Sequence, residues 1–352
     1  MDLQDTYDVV VVGSGPAGAG AARALTGSGL RTLIAERLTL PRFKMCSGIV
    51  FPSGRKVIAD DFGEIPDNVL CSPKLVEGNR IYPSVDAPPL DVPFAVFDAF
   101  DGEEGMETEG LNTSRSELDY WLCSQSNADL VDDCSFEDFE RDAGGYVVHL
   151  RCRNQRVSVR TKFLIGADGT LSKVRKRAFP DLDGIGLIPN YEEFYLADID
   201  LEPGWLHLFL DRGITGYFAT VFHDEGRLQV VTGAHRQEPV REYFQAFRSH
   251  LEAKHGLVVK ETLSSHGVGL TDMSAQKNYC LGSDNLLLVG EAGGFLRGGE
   301  GITSALTSGK AAGEAILESV ASGKAAVEHF RELASEELRI CEMVHERLSA
   351  AS

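Results

Sequence analysis

The sequence predicts an α/β protein that combines a Rossmann-like domain with a second domain built on an antiparallel β-sheet. Three observations support this prediction. A β-branched run at 7–12 leads into a glycine-rich turn and an alanine-rich helix, as in a buried βαβ unit. Two later apolar runs, at 163–169 and 286–293, also end in a glycine and an acid. Between them, short segments alternate apolar and polar residues, which is typical of an antiparallel sheet with one solvated face.

Composition sets the first limits on function. The chain has 352 residues, enough for two hydrophobic cores. It carries 34 Lys and Arg against 53 Asp and Glu, a net charge of −19. That sign is opposite to the basic surface that nucleic acid binding requires, so we expect no nucleic acid partner.

The cysteines and the apolar runs bear on cellular location. The seven cysteines show no CxxC spacing, so neither a metal site nor a disulfide framework is predicted. No apolar run approaches the roughly 18 residues of a membrane-spanning helix. The first strand begins near Thr6, which leaves no room for a signal peptide. We therefore expect a cytoplasmic protein, and peripheral membrane contact stays open.

The glycine-rich turn after the first strand predicts a dinucleotide site. Gly13 permits a tight turn, Gly15 lets the backbone approach a pyrophosphate, and Gly18 allows close packing of helix on strand. The N–H groups at the start of the following helix face the phosphates. The same turn contains two further cofactor-binding candidates, Pro16 and Ala17.

An acid at the end of the second predicted strand, 31–35, indicates the nucleotide's sugar. Glu36 follows Gly18 by 18 residues and can accept hydrogen bonds from both ribose hydroxyls. A 2′-phosphate would meet a like charge there. The site therefore fits either FAD or NAD.

Two later motifs favour FAD. The run 163–169 ends in Asp168 and Gly169, and the run 286–293 contains Gly290 and Glu291. Together with the glycine-rich turn, they resemble the motifs of p-hydroxybenzoate-hydroxylase-like flavoproteins. The resemblance implies a bound FAD, with Asp168 beside its pyrophosphate and Glu291 at the position of an aspartate on the ribityl chain.

The same resemblance implies further cofactor contacts. Arg115, at the start of a predicted helix, matches an arginine that contacts FAD, and the alternative is a solvated arginine. The loop 298–302 would lie under the pyrimidine edge of the flavin, where helix N–H groups stabilise negative charge. The remaining residues assigned to the cofactor are Arg37, Arg42, Cys46, Ser47, Gly48, Gly299, Gly301 and Ile302.

The segment 41–48, with Cys46 followed by Ser47 and Gly48, resembles a loop of the geranylgeranyl reductase family. Those enzymes use reduced FAD to add hydrogen across isoprenoid carbon–carbon double bonds. The resemblance implies that Cys46 faces the flavin at the substrate pocket. There its thiol could protonate the substrate carbon opposite the hydride or simply shape the pocket, whereas an inert buried thiol is the alternative. Of the family's aromatic substrate motif, only Tyr217 is retained, as a candidate substrate contact.

Other functions remain open from the sequence. An aromatic hydroxylase shares the fold and the three motifs, and a flavin electron carrier would need no substrate. A halogenase is disfavoured because Trp121 and Trp205 form no Trp-x-Trp motif. With no second dinucleotide motif, NAD(P)H would bind transiently, or a donor protein would supply the electrons.

The motif positions divide the chain into two predicted domains. The FAD-binding domain comprises 1–75, 107–180 and 276–352, and the substrate-binding domain comprises 76–106 and 181–275. Edge strands are expected within 79–100, and a helix with a core-facing aromatic side is expected over 241–255. The remaining predicted elements are strands at 194–200, 205–210, 217–222 and 228–232, and helix from 304 to the end.

Overall fold

A computed structural model describes residues 3–94, 108–182, 187–224, 226–235, 237–271 and 279–351. Within these ranges the chain forms three sheets and eight α-helices. The strands are β1 Thr6–Val12, β2 Thr32–Ala35, β3 Ile49–Val50, β4 Leu70–Val76, β5 Gly78–Tyr82, β6 Leu90–Pro93, β7 Gly110–Thr113, β8 Asp129–Val131, β9 Cys134–Asp142, β10 Gly145–Cys152, β11 Gln155–Gly166, β12 Leu187–Asp198, β13 Trp205–Phe209, β14 Phe218–Asp224, β15 Arg227–Gly233, β16 Val258–Thr271, β17 Gly282–Ser283 and β18 Leu286–Leu288.

The helices include one long element near the carboxyl end of the chain. They are α1 Pro16–Ala24, α2 Pro52–Asp61, α3 Arg115–Ser124, α4 Lys173–Ala178, α5 Val240–Lys254, α6 Gly301–Ser322, α7 Ala326–Leu333 and α8 Ser335–Ala351. Single 3-10 turns occur at Asp67–Val69 and Gly290–Ala292. The prediction of helix from 304 onward is confirmed, with α6 beginning three residues earlier.

The first sheet confirms the predicted Rossmann-like fold. Its central strands run in the order β18, β11, β1, β2 and β8, and each neighbouring pair is parallel. The β-branched residues of β1 are buried on both faces, which is why this strand is an uninterrupted apolar run. The antiparallel strands β9 and β10 extend from the first half of β11.

Glycines bring α1 and α6 into backbone contact beneath this sheet. A Cβ on Gly20 would lie 2.6 Å from the Leu306 carbonyl oxygen, and one on Gly309 would lie 2.1 Å from that of Ala17. Neither position can carry a larger side chain without separating the helices. This close packing fixes the N-terminus of α1 relative to that of α6.

The second sheet confirms the predicted antiparallel architecture. Its order is β16-β12-β15-β14-β13-β5-β6, and all neighbours are antiparallel except β5 and β13, which are parallel. Helix α5 covers one face, where Phe244 and Phe247 are buried against Tyr195 and Val221, as the aromatic spacing predicts. The strands predicted within 79–100 appear as β5 and β6, of which only β6 is at the edge of the sheet, and residues 95–100 lie outside the described residues.

A small sheet, β3-β7-β4, lies against the opposite face of the second sheet. Phe222 of β14 is fully buried there with Ile49, Val76 and Phe94. The opposite face of the second sheet is therefore turned toward the segment that follows β2. The predicted domain division stays a prediction, since its boundaries near 106 and 275 lie outside the described residues.

The sequence indicated no disulfide framework, and the structure joins two of the cysteines. Cys134 of β9 and Cys152 of β10 are directly paired across the strands and joined by a disulfide. Because the hairpin brings them together, their spacing of 18 residues in the sequence gave no signal. Among the described helices, none is long and apolar enough to cross a bilayer.

Candidate cofactor and substrate site

The glycine-rich turn has the geometry that its sequence predicts. Gly13 has a φ of +108°, and a Cβ there would lie 2.4 Å from the Ala167 carbonyl oxygen. A Cβ on Gly18 would lie 2.1 Å from the Gly13 oxygen. Gly15 precedes Pro16, the first residue of α1, and a Cβ on it would meet only a guanidinium nitrogen of Arg42, at 3.6 Å. The start of α1 is thus open to a phosphate beside a cation.

Glu36 is buried where β2 ends, beside this turn. Its Oε2 accepts hydrogen bonds from the backbone N–H and hydroxyl of Ser14, at 3.1 and 2.7 Å, and its Oε1 accepts one from the Leu38 N–H at 3.0 Å. Burial opposes ionisation, but Arg42 and these donors hold the pKa of Glu36 below its ordinary value. A carboxylate oxygen accepts more than one hydrogen bond, so Oε1 retains capacity for a ribose hydroxyl.

Two carboxylates and two arginines alternate in a row that begins at Glu36. Arg42 Nε lies 3.1 Å from Glu36 Oε2, and its Nη2 lies 3.1 Å from Asp119 Oδ2. Asp119 also accepts from Arg115 Nη2, at 2.9 Å. Burial opposes the charge of Arg115, but Asp119 raises its pKa, and Cys46 acts in the same direction. This row links the predicted ribose site to the predicted catalytic thiol.

Arg115 is therefore not the solvated arginine of the alternative interpretation. Its side chain is only 9% exposed and lies against Asp119. Asp119 is fully buried on the next turn of α3, and sequence reasoning missed it. The signal was present, because Arg115 and Asp119 are four residues apart, the spacing of neighbours on one helix face.

The loop that carries Cys46 is attached to β7. Thr113 donates both its backbone N–H and its hydroxyl to the Gly48 carbonyl, at 3.1 and 2.6 Å. Gly48 has a φ of +78°, and a Cβ on it would lie 2.0 Å from the Thr113 oxygen, so only glycine fits. Cys46 and Ser47 are half-buried, whereas Arg37 is exposed.

Asp168 ends the β11 motif and accepts hydrogen bonds from the first turn of α4. Its carboxylate accepts from the Ser172 hydroxyl at 2.5 Å and from the N–H groups of Lys173 and Val174. Burial raises the pKa of Asp168 despite these donors. The next residue, Gly169, has a φ of +74°, and a Cβ there would meet no atom within 4 Å. Asp168 thus shapes a turn that leaves open space at Gly169.

Arg175 joins the second and third motifs, a role that sequence reasoning did not assign. Its buried guanidinium donates to the carbonyls of Thr170, Glu291 and Ala292, at 2.5, 3.1 and 2.8 Å. Desolvation lowers the pKa of Arg175. The Thr170 hydroxyl also donates to the Glu291 carboxylate. The longer side chain of Glu291 is therefore directed at the neighbouring motif.

Gly290 brings the third motif against the first. It has a φ of +56°, its N–H donates to the Ser308 hydroxyl at 2.9 Å, and a Cβ on it would lie 3.0 Å from that of Ala17. Beyond it, Gly299 is exposed, whereas Gly301 and the buried Ile302 begin α6. The N-terminus of α6 is thus near that of α1.

These motifs share one edge of the sheet. β18, β11, β1 and β2 are adjacent and parallel, and each is followed by its motif: Gly290, Asp168, Gly13 and Glu36. Ligands of open parallel sheets bind at the carboxyl ends of the strands. The residues present fit a dinucleotide, with a sugar at Glu36 and phosphates at the start of α1. The individual cofactor contacts stay predictions.

The face of the second sheet toward the Cys46 loop carries polar residues that the sequence analysis did not single out. Glu192 and Asn190 of β12 are buried, and the ring of Phe43 stacks on His266 of β16, with centroids 4.4 Å apart. Tyr217, the predicted substrate contact, lies just before β14, with its ring 5.1 Å from that of His235. The sequence carried no clear signal for Glu192, because β12 also contains Asn190, Glu193 and Asp198.

Comparison with known proteins relates this arrangement to flavoproteins. No protein-family model matches the chain. The protein CbrA of Escherichia coli K12 is 23% identical over 310 residues, which cover 86% of this chain and 82% of CbrA.

Solved structures share the fold over nearly the whole chain. A geranylgeranyl bacteriochlorophyll reductase-like protein from Thermoplasma acidophilum has a TM-score of 0.79 and 21% identity, covering 98% of this chain and 88% of its own. The p-nitrophenol 4-monooxygenase PnpA of Pseudomonas putida has a TM-score of 0.72 and 15% identity, covering 99% and 89%. The myxobacterial FAD-dependent halogenase CndH has a TM-score of 0.69 and 14% identity, covering 95% and 79%.

The predicted fold class is confirmed by these structures. The chain shares its fold with a reductase-like protein, a monooxygenase and an FAD-dependent halogenase. Since one fold serves several chemistries, the choice among them depends on the site.

Proposed function

We propose that the protein binds FAD and is an FAD-dependent oxidoreductase. The observation that carries this proposal is the meeting of three motifs at one sheet edge, where Gly290 approaches Ala17 and Gly13 abuts Ala167. Glu36 binds the adenosine ribose and the start of α1 binds the pyrophosphate. FAD, once reduced, supplies a hydride from its N5.

The substrate chemistry that we propose is reduction of a carbon–carbon double bond in a hydrophobic, isoprenoid-like molecule. The resemblance of the segment 41–48 to geranylgeranyl reductases supports this, as does the likeness to the Thermoplasma reductase-like structure. Cys46 then donates a proton to the substrate carbon opposite the one that receives hydride. The Arg115 side chain packs against Gly48 of the same loop, so its positive charge offsets the negative charge that this proton transfer leaves nearby.

A second candidate is an aromatic monooxygenase. The likeness to the p-nitrophenol 4-monooxygenase supports it, and so does the buried carboxyl of Glu192 on the sheet face toward the Cys46 loop. A phenolic substrate has a polar group that such a carboxyl can bind. A flavin electron carrier remains the third candidate, although the buried polar residues on this face of the second sheet argue for a bound substrate.

Two measurements test the proposal. Acid extraction of the purified, yellow protein should release intact FAD, and recovery of FMN or of NAD alone would overturn it. The flavin should then be photoreduced without oxygen. One sample is mixed with farnesol, and a second is mixed with a phenol and oxygen. Reoxidation by the alkene supports the reductase, and substrate-stimulated oxygen consumption with NAD(P)H supports the monooxygenase. If neither substrate has an effect, the electron carrier is supported.

A further inference from the structure

One face of the second sheet collects polar side chains beside the Cys46 loop. Asn190 and Glu192 alternate along β12 and so point to the same face, which they share with Phe194. His266 is directly opposite Glu192 on the neighbouring strand β16. Phe43 packs on His266 and, with centroids 6.2 Å apart, on Phe194. Phe43, in the segment 41–48, therefore lies over this polar cluster.

Three buried polar atoms in the cluster have no hydrogen-bond partner among the described residues. They are Asn190 Oδ1, Glu192 Oε1 and His266 Nε2. An unpaired buried polar atom costs about 1–3 kcal/mol, so three together on one face call for an explanation. A bound ligand would supply the missing partners.

The remaining atoms of the cluster determine what kind of group fits. Glu192 Oε2 accepts from Gln229 Nε2, and Asn190 Nδ2 donates to the Ile188 carbonyl. The free atoms of Asn190 and Glu192 are thus acceptors, which require a donor. His266 Nε2 donates or accepts according to its tautomer. A hydroxyl donates to one of these acceptors and accepts from His266 Nε2, so it supplies a partner to two of the three atoms.

A cationic donor fits less well. Lys44 lies close enough to the Glu192 carboxyl to act on it electrostatically, and it would repel an ammonium group. Burial raises the pKa of Glu192 to about 7, so near neutral pH the pocket carries less than a full negative charge to offset a second cation. A neutral hydroxyl is not repelled by Lys44 and does not need a fully charged Glu192.

We infer that Asn190, Glu192 and His266 form a subsite that binds a hydroxyl group on an otherwise hydrophobic substrate. The inference rests on the proposed function, since it places this substrate between the second sheet and the Cys46 loop. The hydroxyl belongs to an aliphatic alcohol under the reductase proposal and to a phenol under the monooxygenase proposal.

Equilibrium binding of matched probes to the flavin-containing protein tests the inference. Farnesol is compared with farnesyl methyl ether, and para-butylphenol with para-butylanisole, because each ether keeps the oxygen as an acceptor but carries a methyl group in place of the donated hydrogen. In one of the two pairs, the hydroxyl compound should bind about tenfold more tightly, the effect of one hydrogen bond to a carboxyl group. The pair that shows the preference distinguishes the alcohol from the phenol.

Variants assign this preference to Glu192. Glu192→Leu should bring the affinity ratio close to one, and Glu192→Gln should lower it, because its amide turns a donor toward the hydroxyl. Glu261→Gln is the matched control, an exposed carboxyl on β16, and should retain the full ratio. An equal ratio in wild type and Glu192→Gln, or no preference in either pair, overturns the inference. FAD content, measured separately, reports failure of the proposed function.

Discussion

Arg42 and Asp119 form a buried ion pair, with 3.1 Å between Arg42 Nη2 and Asp119 Oδ2. The two residues come from the loop after β2 and from α3. Because Arg42 also binds Glu36 and Asp119 also binds Arg115, the pair connects the predicted ribose site with the Cys46 loop. One carboxylate thus holds two guanidinium groups in place.

Replacement of Asp119 should therefore destabilise the fold strongly. Asp119→Ala leaves two buried guanidinium groups short of a partner, and we expect a loss of about 3–5 kcal/mol in unfolding free energy. Urea denaturation measures the loss. Asp60→Ala removes an exposed partner of Lys56 and should cost less than about 1 kcal/mol. Equal losses in the two variants would contradict the structural role of Asp119.

Loss of the ribose acceptor should weaken FAD retention. Glu36→Ala removes a charged acceptor whose hydrogen bonds are each worth about 1.5–3 kcal/mol, and Arg115→Ala should act in the same direction. The ratio of bound FAD to protein after purification measures both effects. Glu64→Ala, at an exposed position, should retain normal occupancy. Full occupancy in both site variants would show that these two assignments are wrong.

Cys46→Ser should keep FAD but slow substrate reduction, or change which double bond reacts. A serine hydroxyl is a much weaker acid than a thiol, so proton donation to the substrate carbon becomes harder. Stopped-flow reoxidation of the photoreduced flavin, with product analysis, measures the effect per bound FAD. Cys71→Ser, at a buried cysteine of β4, should leave that rate unchanged. An unaltered rate and product in Cys46→Ser would return Cys46 to the role of an inert thiol.

Arg175→Met should loosen the contact between the Asp168 and Glu291 motifs. The variant loses the donors to three backbone carbonyls, and we expect a loss of about 3 kcal/mol in unfolding free energy, together with weaker FAD retention. Thermal denaturation and flavin content measure these effects. Arg177→Met, two residues later, removes an exposed ion pair with Asp138 and a contact with Phe139, and it should change flavin content not at all and stability by less than about 1 kcal/mol.

The stability difference between Glu192→Gln and wild type should depend on pH. The pKa of Glu192 is raised from 4.5 to about 7 by burial, with Lys44 opposing, and His266 faces it from β16. Below pH 4.5 both folded and unfolded states are protonated, so Glu192 costs nothing. Above pH 7 the folded state bears the full penalty, roughly 3 kcal/mol. As the pH rises from 4.5 to 7, the unfolding free energy of Glu192→Gln should therefore increase by that amount relative to wild type. Urea denaturation across this pH range measures the difference. A difference that does not change with pH would contradict the raised pKa.

The local patterns in the sequence were sufficient for the fold class and for the glycine motif. A β-branched run buried on both faces, followed by Gly13, Gly15 and Gly18, specifies a strand, a tight turn and a helix within a few residues. The alternation in 194–232 specified the antiparallel sheet for the same reason. These features depend on backbone conformation and on the period of burial, which neighbouring residues determine.

The partners of charged and polar groups were decided only by the tertiary structure. Arg42 and Asp119, Arg175 and Glu291, and the disulfide between Cys134 and Cys152 each join residues that are distant in the sequence. Likewise, the unpaired acceptors of Asn190 and Glu192 become visible only once β12 is paired with β16 and covered by Phe43. Burial and strand order create these relationships, and neither is encoded in the residues of one segment alone.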